Sequence, residues 1–123
     1  MSLSIETSAP VGGVVEIQPR GEVDVDNAHE VREAVAAVLA AGRPRRIELD
    51  MHLVTFLDSV GISAMVAAFQ LASVGGVQLV VTRPSRFVHR QLWVTGLLGL
   101  FGAPDPHVVG VSGSIQEPPV PTA

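Results

Sequence analysis

The chain has 123 residues, 47% hydrophobic and 16% charged, which suits one hydrophobic core and is too apolar for a disordered chain. Twelve acidic residues against 8 basic ones leave a formal charge of −4, which argues against a general attraction to nucleic acid. Cysteine is absent, which removes disulfides, thiolate metal sites and cysteine nucleophiles and fits a reducing compartment.

The opening "MSLSIETSAP" has neither the basic region nor the apolar core of a secretion signal. No apolar run reaches the roughly 18 residues that a membrane helix needs, so a cytoplasmic protein without direct membrane insertion is expected. "LSIET" and "GGVVEIQPRG" each alternate apolar and polar residues around the turn residues "APVGG", which predicts a hairpin whose second strand ends near Pro19 to Gly21. From Asp26 or Asn27, either a good N-cap, Ala28, Val31, Val35, Val38 and Leu39 recur at helical spacing up to Gly42 and Pro44. A strand is predicted over Arg46 to Asp50, followed by a short apolar connection.

After Ser59, the residues Ile62, Met65, Val66, Phe69 and Ala72 mark a second helical face, ended by Gly75 and Gly76 as left-handed caps. "VQLVVT" is the next strand. Pro84 and Ser85 open a third helix with Val88, Leu92 and Trp93 inward, and "LLGLF" tucks against the core. "HVVGV" is a candidate last strand, and "SGSIQEPPVPTA" reads as a loose tail. The domain is therefore drawn over 1–111 and a flexible C-terminal tail over 112–123. The fold class is α/β: the alternation of strands and helices from Arg46 onward predicts parallel strands with right-handed crossovers, and the N-terminal hairpin lies on one edge.

Ligands of such sheets gather where strands hand over to helices, and "TFLDSVGISAM" places Asp58 and Ser59 at one such junction. A serine at a helix start meets unpaired N–H groups and the positive end of the helix dipole. That position suits a capping hydroxyl, with Asp58 as a loop carboxylate, and equally suits a phosphate; spacing alone leaves both open.

Other chemistry finds little support. His29, His52, His89 and His107 form no metal-binding pair, and His52 is read as a loop histidine near the junction. Leu57 stands two before Ser59, so the Gly-x-Ser-x-Gly elbow of hydrolases is missing. The glycine pairs lack phosphate-cradling patterns. Arg43, Arg45 and Arg46, with Arg83, Arg86 and Arg90, form small basic patches read as solvated or protein-contacting, and nothing in the chain specifies a ligand pocket. No cofactor and no metal are expected.

Three segments, in order, carry a family resemblance over about two thirds of the chain. "GEVDVDNAHEVREAV" resembles the Gly-Glu-Leu-Asp segment and first helix of STAS domains. "IELDMHLVTFLDSVGISAM" resembles their strand, apolar loop, Asp-Ser-x-Gly and helix. "GGVQLVVTRPSRFVHRQLWVTGLLGLF" resembles their closing strand, helix and Gly-Leu element. Among STAS domains the chain is similar to the bacterial anti-sigma factor antagonists.

That resemblance implies a mixed β-sheet, an N-terminal hairpin plus parallel strands, with helices mainly on one side, and a binding protein and not an enzyme. Such an antagonist binds an anti-sigma factor that is also a serine kinase of the GHKL type, releases the sigma factor, and is switched off by phosphorylation; a PP2C-type phosphatase would reverse the switch. The implied phosphoacceptor is Ser59. Asp58 would orient the hydroxyl or contact the kinase, Gly61 would let a partner backbone approach, and Asp24 and Val60 are further partner-contact candidates. Val60 departs from the second serine or threonine of many phosphorylated members. The C-terminus also departs, since family members usually finish with a helix. Two alternatives follow from the same resemblance: a STAS subunit of a membrane transporter complex bound to its ATPase, and a small-ligand sensor of nucleotides or lipids.

Overall fold

The structure is a computed structural model and describes residues 2–102. In chain order the elements are β1 (Leu3–Thr7), β2 (Val14–Val23), α1 (Ala28–Ala41), β3 (Arg46–Asp50), β4 (Val54–Leu57), α2 (Ser59–Val74), β5 (Gln78–Thr82), α3 (Arg86–Val94) and α4 (Leu98–Phe101). The predicted last strand at "HVVGV", the tail 112–123 and His107 lie outside the described residues.

The sheet has the order β1-β2-β3-β5, with β4 also paired to β2. β1 runs antiparallel to β2, and the other pairings are parallel. Register builds the core directly. Val15 lies beside Ile47, and Ile47 beside Leu79; Ile17 lies beside Leu49, and Leu49 beside Val81. All six are buried, as are Val31 and Val35 of α1 and Met65, Ala68 and Ala72 of α2, so both helices cover one sheet face. Each fully buried valine, leucine or isoleucine contributes about 1.5–3 kcal/mol from surface removed from water.

Three differences from the sequence expectation have physical causes. β2 continues past Pro19 to Val23 because β3 pairs with Val14–Ile17 and β4 with Gly21–Val23, so proline, which has no N–H to give, falls between the two parallel partners. The register shifts at Gly21, whose φ of +111° is a glycine conformation and where a Cβ would collide with the Ser2 carbonyl. The "VTFL" connection is itself a strand, β4, because the upper end of β2 offers a free edge that the five-residue β3 does not reach.

The third difference concerns α2. Its buried stripe is Gly61, Met65, Ala68 and Ala72, while Ile62, Val66 and Phe69 are half-buried beside it. The helix is apolar on nearly every side, so periodicity does not select the inner stripe; small residues do, by letting α2 lie close to its neighbours. Its end uses one left-handed glycine, Gly76 (φ +75°), since Gly75 has φ −82°. α3 buries Val88, His89 and Leu92, with Trp93 only half-buried. Leu98 and Phe101 of α4 are buried as expected, with Phe101 meeting Phe69 edge-on at 5.9 Å.

Candidate functional site at the start of helix α2

The C-terminal ends of β2 and β4 lie side by side: Val23 pairs with Leu57, and the Asp58 N–H donates to the Val23 carbonyl at 3.3 Å. Both α1 and α2 therefore start from one rim. Asp58 sits there in extended conformation, and its Oδ1 accepts a hydrogen bond from the Gly61 N–H at 2.8 Å. Asp58, not Ser59, is the N-cap. Ser59 is the first helical residue, exposed, and its hydroxyl makes no hydrogen bond among the described residues. Asp58→Ala is expected to cost about 1 kcal/mol and Ser59→Ala less than about 0.5 kcal/mol in urea unfolding. Equal losses would contradict the assignment of the cap.

Val60, next to Ser59 in the first turn of α2, is 42% exposed, and Val25, two residues past the end of β2, is 66% exposed. Two other contact candidates, Asp24 and Gly61, are buried. Asp24 is only 6% exposed and its Oδ1 accepts from the Asp26 N–H at 3.0 Å, which makes it an organiser of the turn more than a contact surface. Asn27 supports the same turn: its Oδ1 accepts from the Asp24 N–H at 2.9 Å and its Nδ2 donates to the Glu22 carbonyl at 2.9 Å. It occupies the cap position of α1 but makes no side-chain cap bond, because both ends of its amide are used in the turn.

Gly61 is buried, and the close approach it permits is internal. A Cβ there would lie 2.7 Å from Leu57 Cδ1, 3.0 Å from the Val23 carbonyl oxygen and 3.1 Å from Val23 Cγ1. Alanine favours a helix over glycine by about 1 kcal/mol, but crowding of this kind costs about 1–3 kcal/mol. Gly61→Ala should therefore lose about 1 kcal/mol net and Gly61→Val more, read as a falling midpoint in urea. A stabilised Gly61→Ala would show that β4 and α2 can separate freely.

A polar cluster missed from the sequence lies at the end of β3. The Asp50 carboxylate is fully buried and accepts hydrogen bonds from Gln18 Nε2 at 3.1 Å, from the His52 N–H at 3.2 Å and from the Arg83 guanidinium; it also meets His52 Nδ1 at 2.8 Å. Burial pushes its pKa up, yet the hydrogen bonds from His52, Arg83 and Gln18 outweigh that, leaving the group below the ordinary carboxylate value. Arg83 adopts φ +45°, a costly conformation for a non-glycine residue, held where its guanidinium reaches Asp50. Gln18 and Arg83 stand 32 and 33 residues from Asp50, so no local pattern links them. His52 is thus a partner of a buried acid and not a plain loop histidine.

No helix among the described residues is long and apolar enough to cross a membrane. The family model described as STAS domain matches residues 7–111, which takes in the mixed sheet, the Asp58-capped helix α2 and Ser59. The chain belongs to the STAS domain family. Its fold is similar to that of an anti-sigma factor antagonist from Mycobacterium paratuberculosis, 25% identical over 83% of this chain and 85% of that chain, with a TM-score of 0.72. It is also similar to SpoIIAA of Bacillus in its phosphorylated form, 18% identical over 83% of this chain and 90% of that chain, TM-score 0.64. A sulfate transporter family protein from Wolinella succinogenes shares the fold at 20% identity over 77% of this chain and 76% of that chain, TM-score 0.62.

Proposed function

We propose that this chain is an anti-sigma factor antagonist acting in the cytoplasm as a binding protein, whose docking face is the rim bearing Val25, Ser59 and Val60. One observation carries this reading: the Ser59 hydroxyl is exposed and has no hydrogen-bond partner among the described residues, while Asp58 caps the helix. Similarity to the Mycobacterium paratuberculosis antagonist supports the role, and the phosphorylated form known for SpoIIAA supports a phosphoryl switch.

The partner is an anti-sigma factor with serine kinase activity of the GHKL type. Its bound ATP gives up the γ-phosphoryl group to Ser59 Oγ, the hydroxyl proton passes to a base of the kinase, and ADP leaves. The antagonist supplies only the nucleophile and its placement, with Asp58 fixing the first turn of α2. A PP2C-type phosphatase restores the hydroxyl.

The test is to incubate the protein with candidate anti-sigma kinases and ATP and to map the label by mass spectrometry. Ser59 is expected to carry it, and Ser59→Ala to bind the kinase without being labelled. Label on another residue with no effect of Ser59→Ala would reject the acceptor. The second reading, a STAS subunit of a membrane transporter complex, is favoured by the exposed valine at position 60, which gives the rim an apolar contact where a second hydroxyl is absent. Recovery of a transporter ATPase in place of a kinase in a pull-down would select it.

A further inference from the structure

The opposite end of the sheet holds a cleft of about 500 Å³, between the second half of α1, the β1–β2 turn and the entry to β3. Pro10, Val15, Ala34, Ala37, Val38 and Ala41 give it apolar walls. The sequence of α1 changes character over this wall. Its first turns expose His29, Glu30, Arg32 and Glu33, whereas Ala34 to Ala41 contain no polar side chain, although Ala36, Ala37, Ala40 and Ala41 are exposed. A helix facing only water would continue the first pattern. Val11, 77% exposed, follows the lining residue Pro10 on the β1–β2 turn.

Among the described residues that line the cleft, the one charged side chain is Arg43. Arg43 lines the cleft and has no acidic partner within 4.0 Å among the described residues. Arg45, two residues on, is also without an acidic partner within 4.0 Å among the described residues, its Nη2 donating to the Gly12 carbonyl at 3.2 Å. Ser8, a further lining residue, accepts the Glu16 N–H at 2.9 Å, which leaves its hydroxyl proton to donate.

We infer that this cleft binds an amphipathic carboxylate, with an aliphatic body on the alanine and valine walls and its head on Arg43. A cation would be repelled at the mouth. A nucleotide would find no aromatic side chain to stack on among the described residues that line the cleft. The size falls within the ordinary range of ligand pockets, roughly 300–1,000 Å³. The site lies away from the Ser59 rim and stands independently of the function proposed above.

Amide NMR spectra of the full chain, titrated with decanoate, decanol and decyltrimethylammonium below their aggregation limits, test the inference. Decanoate should produce saturable shifts centred on Gly13, Ala37, Val38 and Ala41 and bind about tenfold more tightly than decanol, as one charge-assisted pair warrants. Decyltrimethylammonium should not saturate. Arg43→Gln should bring decanoate down to the level of decanol. Ala37→Phe should fill the cleft and abolish binding of both without lowering Tm, and Ala41→Phe, at another exposed position, serves the same end if the first variant does not fold. The inference is overturned if decanoate fails to saturate, if shifts centre elsewhere, if decanoate and decanol bind alike, or if Arg43→Gln changes nothing.

Discussion

Asp50→Ala is expected to lower the unfolding free energy by about 2–3 kcal/mol, with a fall in Tm of roughly 10 °C. The carboxylate is fully buried and gathers Gln18 of β2, His52 of the β3–β4 connection and Arg83 after β5, so its removal unties three segments at once. The loss stays below the largest values known for broken buried pairs because Arg83 is 60% exposed and His52 36% exposed, and water can take over their solvation.

The pH dependence has a definite sign. Because the folded pKa of Asp50 lies below its unfolded value, the stabilisation is complete above the unfolded value, about 3.9, and is lost as pH falls through the folded one. Urea unfolding of the wild type and Asp50→Ala should show a constant gap from neutral pH down to about pH 5, closing toward more acidic pH. A gap that widened in acid would contradict the arrangement.

Phosphorylation of Ser59, or Ser59→Asp as a weaker mimic, is expected to reduce affinity for the kinase by at least about tenfold while leaving Tm within a few degrees of the unmodified protein. A phosphate brings about 1.5 to 2 negative charges to the first turn of α2, where the helix dipole and the Ser59 and Val60 N–H groups, without a partner among the described residues, favour an anion. Within the antagonist itself the group is therefore tolerated. At the proposed docking face, which bears the exposed Val25 and Val60, the same dianion would lose water without a built partner, and each 1.4 kcal/mol of that cost is tenfold in affinity. Calorimetry with the kinase and thermal melts of both forms separate the two effects. Unchanged affinity, or a collapse of Tm, would contradict a switch that works by local charge alone.

Much of the architecture was legible from the chain. The hairpin, the helix from Ala28, the strand Arg46–Asp50 and the helix from Ser85 follow from alternation, helical spacing and turn residues that act within about a turn of helix or a pair of strands. The exposed serine at the start of α2 was legible for the same reason. β4 was not, because four residues of mixed character become a strand only when β2 presents a free edge. Nor was the inner stripe of α2, since an almost wholly apolar helix has no distinguishable face.

Sequence alone thus determined the order and type of most elements, the junction carrying Asp58 and Ser59, and the STAS pattern. Tertiary structure decided which side chain caps α2, that Asp24 and Gly61 face inward, that Asp50 unites Gln18, His52 and Arg83, and that an apolar cleft opens beside Arg43. The reason is range. Periodicity and capping act between neighbours along the chain, whereas burial and side-chain pairing depend on strand register and helix placement, which bring together residues more than thirty positions apart.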